Sequence, residues 1–122
     1  MNAVEYEKNG KEILNHCWDL LFSKSKEYAT TQDMLANFKQ PCSMMQSNPA
    51  ETCIWYDMKY IASIVKMAKD LNEGVVPTKE MVMEKIGDYV NYGILFYTIM
   101  MEQIEKNEKN ETEDIKLVDI YE

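Results

Sequence analysis

The chain contains no arginine. All 13 basic residues are lysine, set against 21 Asp and Glu, which leaves a formal net charge of −8 over 122 residues. Without a planar guanidinium fork, any phosphate must be held by lysine point charges, backbone amides or helix N-termini. The acidic balance argues against nucleic acid and against an anionic membrane surface as partners, because both attract through phosphates. Histidine is almost absent as well: His16 stands alone, poor material for a Ser-His-Asp or Cys-His nucleophilic set. The three cysteines (Cys17, Cys42, Cys53) are odd in number and form no CxxC pair. That suits a reducing compartment and speaks against a disulfide framework or a structural zinc site. No Gly-rich phosphate loop is present. Nor does any apolar run approach the roughly 20 residues that cross a bilayer, since the stretch from Tyr89 to Met101 is interrupted by Asn91 and Thr98. The start "MNAVEYEKNGKE" is polar and acidic, unlike a secretory signal. A cytoplasmic protein is expected.

What is present is helical periodicity. Only four Gly and three Pro punctuate the chain, and period-two alternation is missing. Ile13, Cys17, Leu20, Leu21 and Tyr28 recur at three- and four-residue spacing and predict a first long helix from about Ala3 to Tyr28. Thr30, Thr31 and Asp33 are cap candidates for a short helix ending near Phe38 or Lys39, with Pro41 as a stop. "SNPAE" is a start signal: Asn48 caps, Pro49 takes the first helical position and Glu51 completes a capping box. The helix that follows carries Ile54, Met58, Ile61, Val65 and Ala68 on one stripe, beside Trp55 and Ala62. Gly74 closes it, Thr78 caps the next, and Val82, Ile86, Tyr89, Gly93, Phe96 and Met100 make a bundle-type seam. The fold class is therefore all-α: three long helices plus a short one. A helical bundle domain is expected over residues 1–104. An acidic, flexible tail over 105–122 follows, whose end "IKLVDIYE" is apolar enough to dock.

The last helix is the informative one. From Tyr89 onward it loses its polar face, so it either runs through the bundle centre or is covered by a second copy, and a homodimer or higher homo-oligomer is expected. Glu80, Glu84, Asp88 and Asn91 lie on one side of it at helical spacing. Stacked carboxylates of this kind can hold Mg²⁺ between helices. The plainer reading is a solvated first turn for Glu80 and Glu84, favoured by the helix dipole, and a lysine partner for Asp88, with Lys24, Lys26 and Lys59 as candidates. Aromatic side chains such as Tyr28, Phe38, Tyr56, Tyr60 and Tyr92 can stack on a base, or simply fill the core.

The ordered landmarks "KSKEY", "NF", "YDMKYIASI" and "EKIGDYVNY", within about residues 10 to 103, resemble those of small phage and prophage proteins of the nucleotide-modification-associated type. Those proteins look like distant relatives of the all-α, MazG-like NTP pyrophosphohydrolases. The resemblance implies an oligomeric helical bundle that handles a nucleotide, with Lys24, Tyr28, Asn37, Phe38, Lys59, Asp88, Asn91 and Tyr92 as pocket residues. The pyrophosphohydrolases carry an E-E-x-x-E cluster on one helix and E-x-x-D on the next. Here the first helix has only scattered acids (Glu5, Glu7, Glu12, Asp19) and the next long helix has Glu51 and Asp57. Half the metal box is missing. The expectation is thus a phage-type protein in the host cytoplasm that captures a small nucleotide, such as a host immune signal, without cleaving it and without a cofactor. The alternatives are Mg²⁺-dependent pyrophosphohydrolysis with Glu84 and Asp88 as ligands, and an acidic inhibitor of a host enzyme.

Overall fold

A computed structural model describes the backbone of residues 1–28, 33–42 and 46–121; within these, the side chains of 24–28 and 112–121 are not described. Four helices appear in chain order: α1 (Ala3–Tyr28), α2 (Ala36–Lys39), α3 (Pro49–Asp70) and α4 (Lys79–Tyr121), with a 3₁₀ turn at Leu71–Glu73. No strand occurs among the described residues. The all-α expectation holds.

Local chemistry sets the helix ends. At α3 the backbone N–H of Glu51 donates to Asn48 Oδ1 at 2.9 Å, the Asn48 amide returns a bond to Glu51 Oε1 at 2.8 Å, and Pro49 opens the first turn. A reciprocal box of the same kind starts α1, where Glu5 N–H donates to Asn2 Oδ1 and Asn2 N–H to Glu5 Oε2. Thr78 Oγ1 accepts from Met81 N–H at 3.2 Å and begins α4. Gly74 adopts φ 76°, the left-handed conformation that ends the α3 segment and turns the chain back. Asp33 forms a side-chain turn onto Leu35 N–H ahead of α2, whereas Thr30 and Thr31 lie outside the described residues.

α4 is the central element. α3 runs antiparallel to it, closed by the Gly74 turn, with the Cys53 thiol donating to the Tyr92 carbonyl across the pair. α1 lies on α4 in parallel: Glu12 bridges Lys79 at 2.6 Å, and one turn on, His16 and Leu20 close over Gly87. A Cβ at Gly87 would sit 3.0 Å from the His16 ring, so the absent side chain is what lets the two helices approach. α1 and α3 both pack chiefly on α4. The result is an open layer with α4 in the middle, and its apolar core is small: Phe38, Cys53 and Ile99, with Leu35, Ala50, Tyr92, Leu95 and Phe96 packed around them. α2 caps this core, held down by Lys39, which bridges Asp33 at 2.8 Å and Glu102 at 2.7 Å.

One feature differs from expectation, and a second decides what the sequence left open. The acidic segment after Met101 continues as helix to Tyr121. Glu, Lys and Gln are strong helix formers, and i,i+4 contacts such as Glu102–Lys106 and Asn107–Glu111 reinforce them. The side chains of the terminal "IKLVDIYE" lie outside the described residues. Second, the apolar stripe of α3 does not face the core. Ile54, Met58, Ile61 and Val65 are 41–60% exposed, and Ala68 is exposed as well. The inner face is a parallel stripe shifted by one residue: Cys53, Asp57, Tyr60, Ile64 and Met67.

Candidate functional site

Both stripes of α3 step by four and three, so helical geometry permits either to face α4. The buried one carries a carboxylate. Asp57 is 8% exposed, and its Oδ1 has no hydrogen-bond partner among the described residues. The antiparallel register that joins Cys53 to Tyr92 brings Asp57, one turn further along α3, level with Asp88, one turn back along α4. Asp88 is also buried, and beside it Asn91 is 6% exposed with its Oδ1 unpartnered. Three polar side chains are therefore buried at the α3–α4 seam, and two of them hold an acceptor oxygen that no donor among the described residues reaches. An unsatisfied buried acceptor costs about 1–3 kcal/mol.

Aromatic rings border the cluster. Tyr92 stacks on Tyr60 at 5.3 Å between ring centroids and meets Phe38 and Tyr56 edge-on at 6.3 and 6.5 Å. Phe38 lies 6.1 Å from Tyr56. Electrostatics follow from burial. Desolvation raises the Asp57 carboxyl above its ordinary value. Burial, with a contribution from the Asp57 charge, pushes the Cys53 thiol up to about 11. The Tyr92 phenol is pushed up to about 12, first by burial and then by Tyr60, Cys53, Asp88 and Tyr56. Both groups are neutral at pH 7, so the site presents carboxylate and amide acceptors among uncharged rings.

Of the residues expected from sequence, Asp88, Asn91 and Tyr92 meet here. Phe38 belongs to the core beneath α2 and touches the same rings. Lys59 is exposed, its Nζ 5.5 Å over the Tyr60 ring, at the margin of the cluster. Asn37 is exposed on α2 and contributes nothing buried. The side chains of Lys24 and Tyr28 lie outside the described residues. Glu84 is exposed while Asp88, one turn on, is buried, so the two carboxylates occupy different environments. Among the described residues no group of three His, Cys, Asp or Glu gathers in a way that could hold a metal ion. Asp57 was not among the expected site residues. Its signal was its place among Cys53, Tyr60, Ile64 and Met67, a seam masked in the sequence by the more apolar one beside it.

A further cavity of about 400 Å³ opens at the mouth of the α3–α4 hairpin. Lys66, Lys85, Met67, Pro77 and Thr78 line it, and Lys66 is engaged with Asp70 at 2.9 Å. No helix among the described residues is long and apolar enough to cross a membrane. No family model, no curated protein and no solved structure matches the chain.

Proposed function

We propose that this chain binds a small nucleotide and holds it without cleaving it. The observation that supports this reading is the pair of buried acceptors, Asp57 Oδ1 and Asn91 Oδ1, that no donor among the described residues reaches, beside a wall of tyrosines. A base edge carrying adjacent N–H donors supplies what they lack, since a carboxylate accepts on both oxygens and offers nothing back. Tyr60 and Tyr92 provide π faces for stacking, worth about 1–3 kcal/mol per base in other base-binding proteins. Lys59, at the margin, offers a point charge for phosphate. Binding opens the α3–α4 seam far enough to admit the base, and the ligand then satisfies groups that the empty protein leaves unsatisfied. Capture without cleavage fits a phage protein that withdraws a host nucleotide signal.

A panel of nucleotides added with and without Mg²⁺, followed by thermal melting and chromatography of the recovered ligand, tests the reading. Nucleotides of guanine, whose edge sets N1–H beside the N2 amino group, should raise the melting temperature more than those of uracil, which offers the single N3–H, and should be recovered intact. Asn91→Leu, which keeps the side-chain volume and removes the acceptor, should abolish that ligand-induced rise while leaving a folded protein. Release of pyrophosphate would establish the hydrolase instead. A panel in which no nucleotide shifts the melting would remove the nucleotide reading and leave an interaction protein.

A further inference from the structure

The outward stripe of α3 asks for a partner. Ile54, Met58, Ile61, Val65 and Ala68 step by four, three, four and three, the spacing of a coiled-coil seam. Trp55 and Ala62 widen it, and every one of these residues is exposed. A helix that turns its most apolar stripe to water while burying Asp57 on the other stripe presents a face that a second helix can cover.

The surface area says how much is missing. The protein exposes 9550 Å², whereas compact monomers of 14.3 kDa expose about 6,800 Å². Part of the surplus belongs to the end of α4, where Gln103 to Glu111 are exposed at every position. With α1 and α3 each packed chiefly on α4, the rest is surface that a second copy can cover, and a standard interface takes about 800 Å² from each partner.

The stripe also shows which way a second copy lies. Its bulk sits at one end (Ile54, Trp55, Met58) and its small residues at the other (Ala62, Val65, Ala68). Antiparallel pairing opposes large to small and sets the two helix dipoles head to tail. With Met58 of one copy on Ile61 of the other, Ile54 meets Val65 and Glu51 comes level with Ala68 and Lys69. Glu51 and Lys69 are both exposed, and they carry opposite charge. A parallel pairing in register would set Glu51 on Glu51 and Lys69 on Lys69.

We propose that α3 is the dimerisation helix: two copies pair through it as an antiparallel, two-fold symmetric coiled coil, with Met58 on Ile61, Ile54 on Val65 and a Glu51–Lys69 pair at each end. The interface is isologous, so the same face serves both partners and the contact closes on itself. It leaves the inner face, with Asp57, on the α4 side of each copy.

Sedimentation equilibrium and oxidative cross-linking together test this. The parent chain should sediment at twice its monomer mass, and Ile61→Glu should halve that mass with the helical circular dichroism retained. The double variant Ile54→Cys with Val65→Cys should give a covalent dimer on mild oxidation, while Ile54→Cys alone should not. A monomeric parent overturns the proposal, as does an Ile61→Glu variant that keeps the parent's mass. Should Ile61→Glu fail to fold, cross-linking still decides. No covalent dimer from the double variant, or a dimer from Ile54→Cys alone, means that α3 does not pair antiparallel.

Discussion

Asp57 is the residue on which stability and ligand capture pull apart. Its folded-state carboxyl titrates above its ordinary 3.8 because burial penalises the charge. A raised acid favours the folded state while protonated. That contribution is complete below the unfolded value and is lost as pH rises through the folded one. Asp57→Asn removes the charge and keeps the shape, so it should match the parent in melting temperature near pH 4. It should pull ahead as pH approaches 7, by about 1 kcal/mol. Paired thermal melts across that range check the slope, and the same variant should lose affinity for a nucleotide, the usual exchange of stability against function. Cysteine reactivity is a second residue-level test. Cys17 and Cys53 are buried with thiols pushed upward, to about 11 for Cys53, whereas Cys42 is only half-buried. Iodoacetamide should label native protein at Cys42 first, with the other two following only on unfolding, as mass spectrometry of peptides will show.

Among the elements, the α1–α4 contact turns on one atom that is not there. Gly87 is buried under His16 and Leu20, while Gly93, almost two turns on, has open space where a Cβ would go. Gly87→Val should force the helices apart and destabilise by about 1–3 kcal/mol. Gly93→Ala should stabilise by about 0.5–1 kcal/mol, because it only improves helix propensity. Urea unfolding of the two variants against the parent separates the cases. α2 depends on charge instead. Lys39 bridges Asp33 and Glu102 and holds both carboxyls below their ordinary range. Depressed acids stabilise above their unfolded values, and that help fades as pH falls. The bridge is partly solvated, so Lys39→Ala should lower the melting temperature only slightly at neutral pH, less still in high salt, and not at all in acid. The Asn48 capping box, the Gly74 turn and the end of α2 were all legible in the sequence, because each rests on residues within a few positions of one another. The orientation of α3 was not legible, because two stripes one residue apart both satisfy the helical period.

At the scale of the whole molecule, α4 is long enough, at 43 residues, to extend past the helices packed on it. Every residue from Gln103 to Glu111 is exposed. Ending the chain after Lys106, which keeps the Glu102–Lys106 bridge, should therefore move the melting temperature by less than about 2 °C. A larger fall would mean that the apolar terminal segment docks. By itself the sequence determined the all-α class, where the long helices begin and the acidic balance, all consequences of local propensity, capping and composition. It also pointed to Asp88, Asn91 and Tyr92, since polar residues inside an apolar stretch stand out in one dimension. Only the tertiary structure decided that Asp57 joins them and that Ile54, Met58, Ile61 and Val65 face away. Which of two equivalent stripes is buried depends on what α4 presents across the seam, and that is a property of two helices in contact rather than of either one alone.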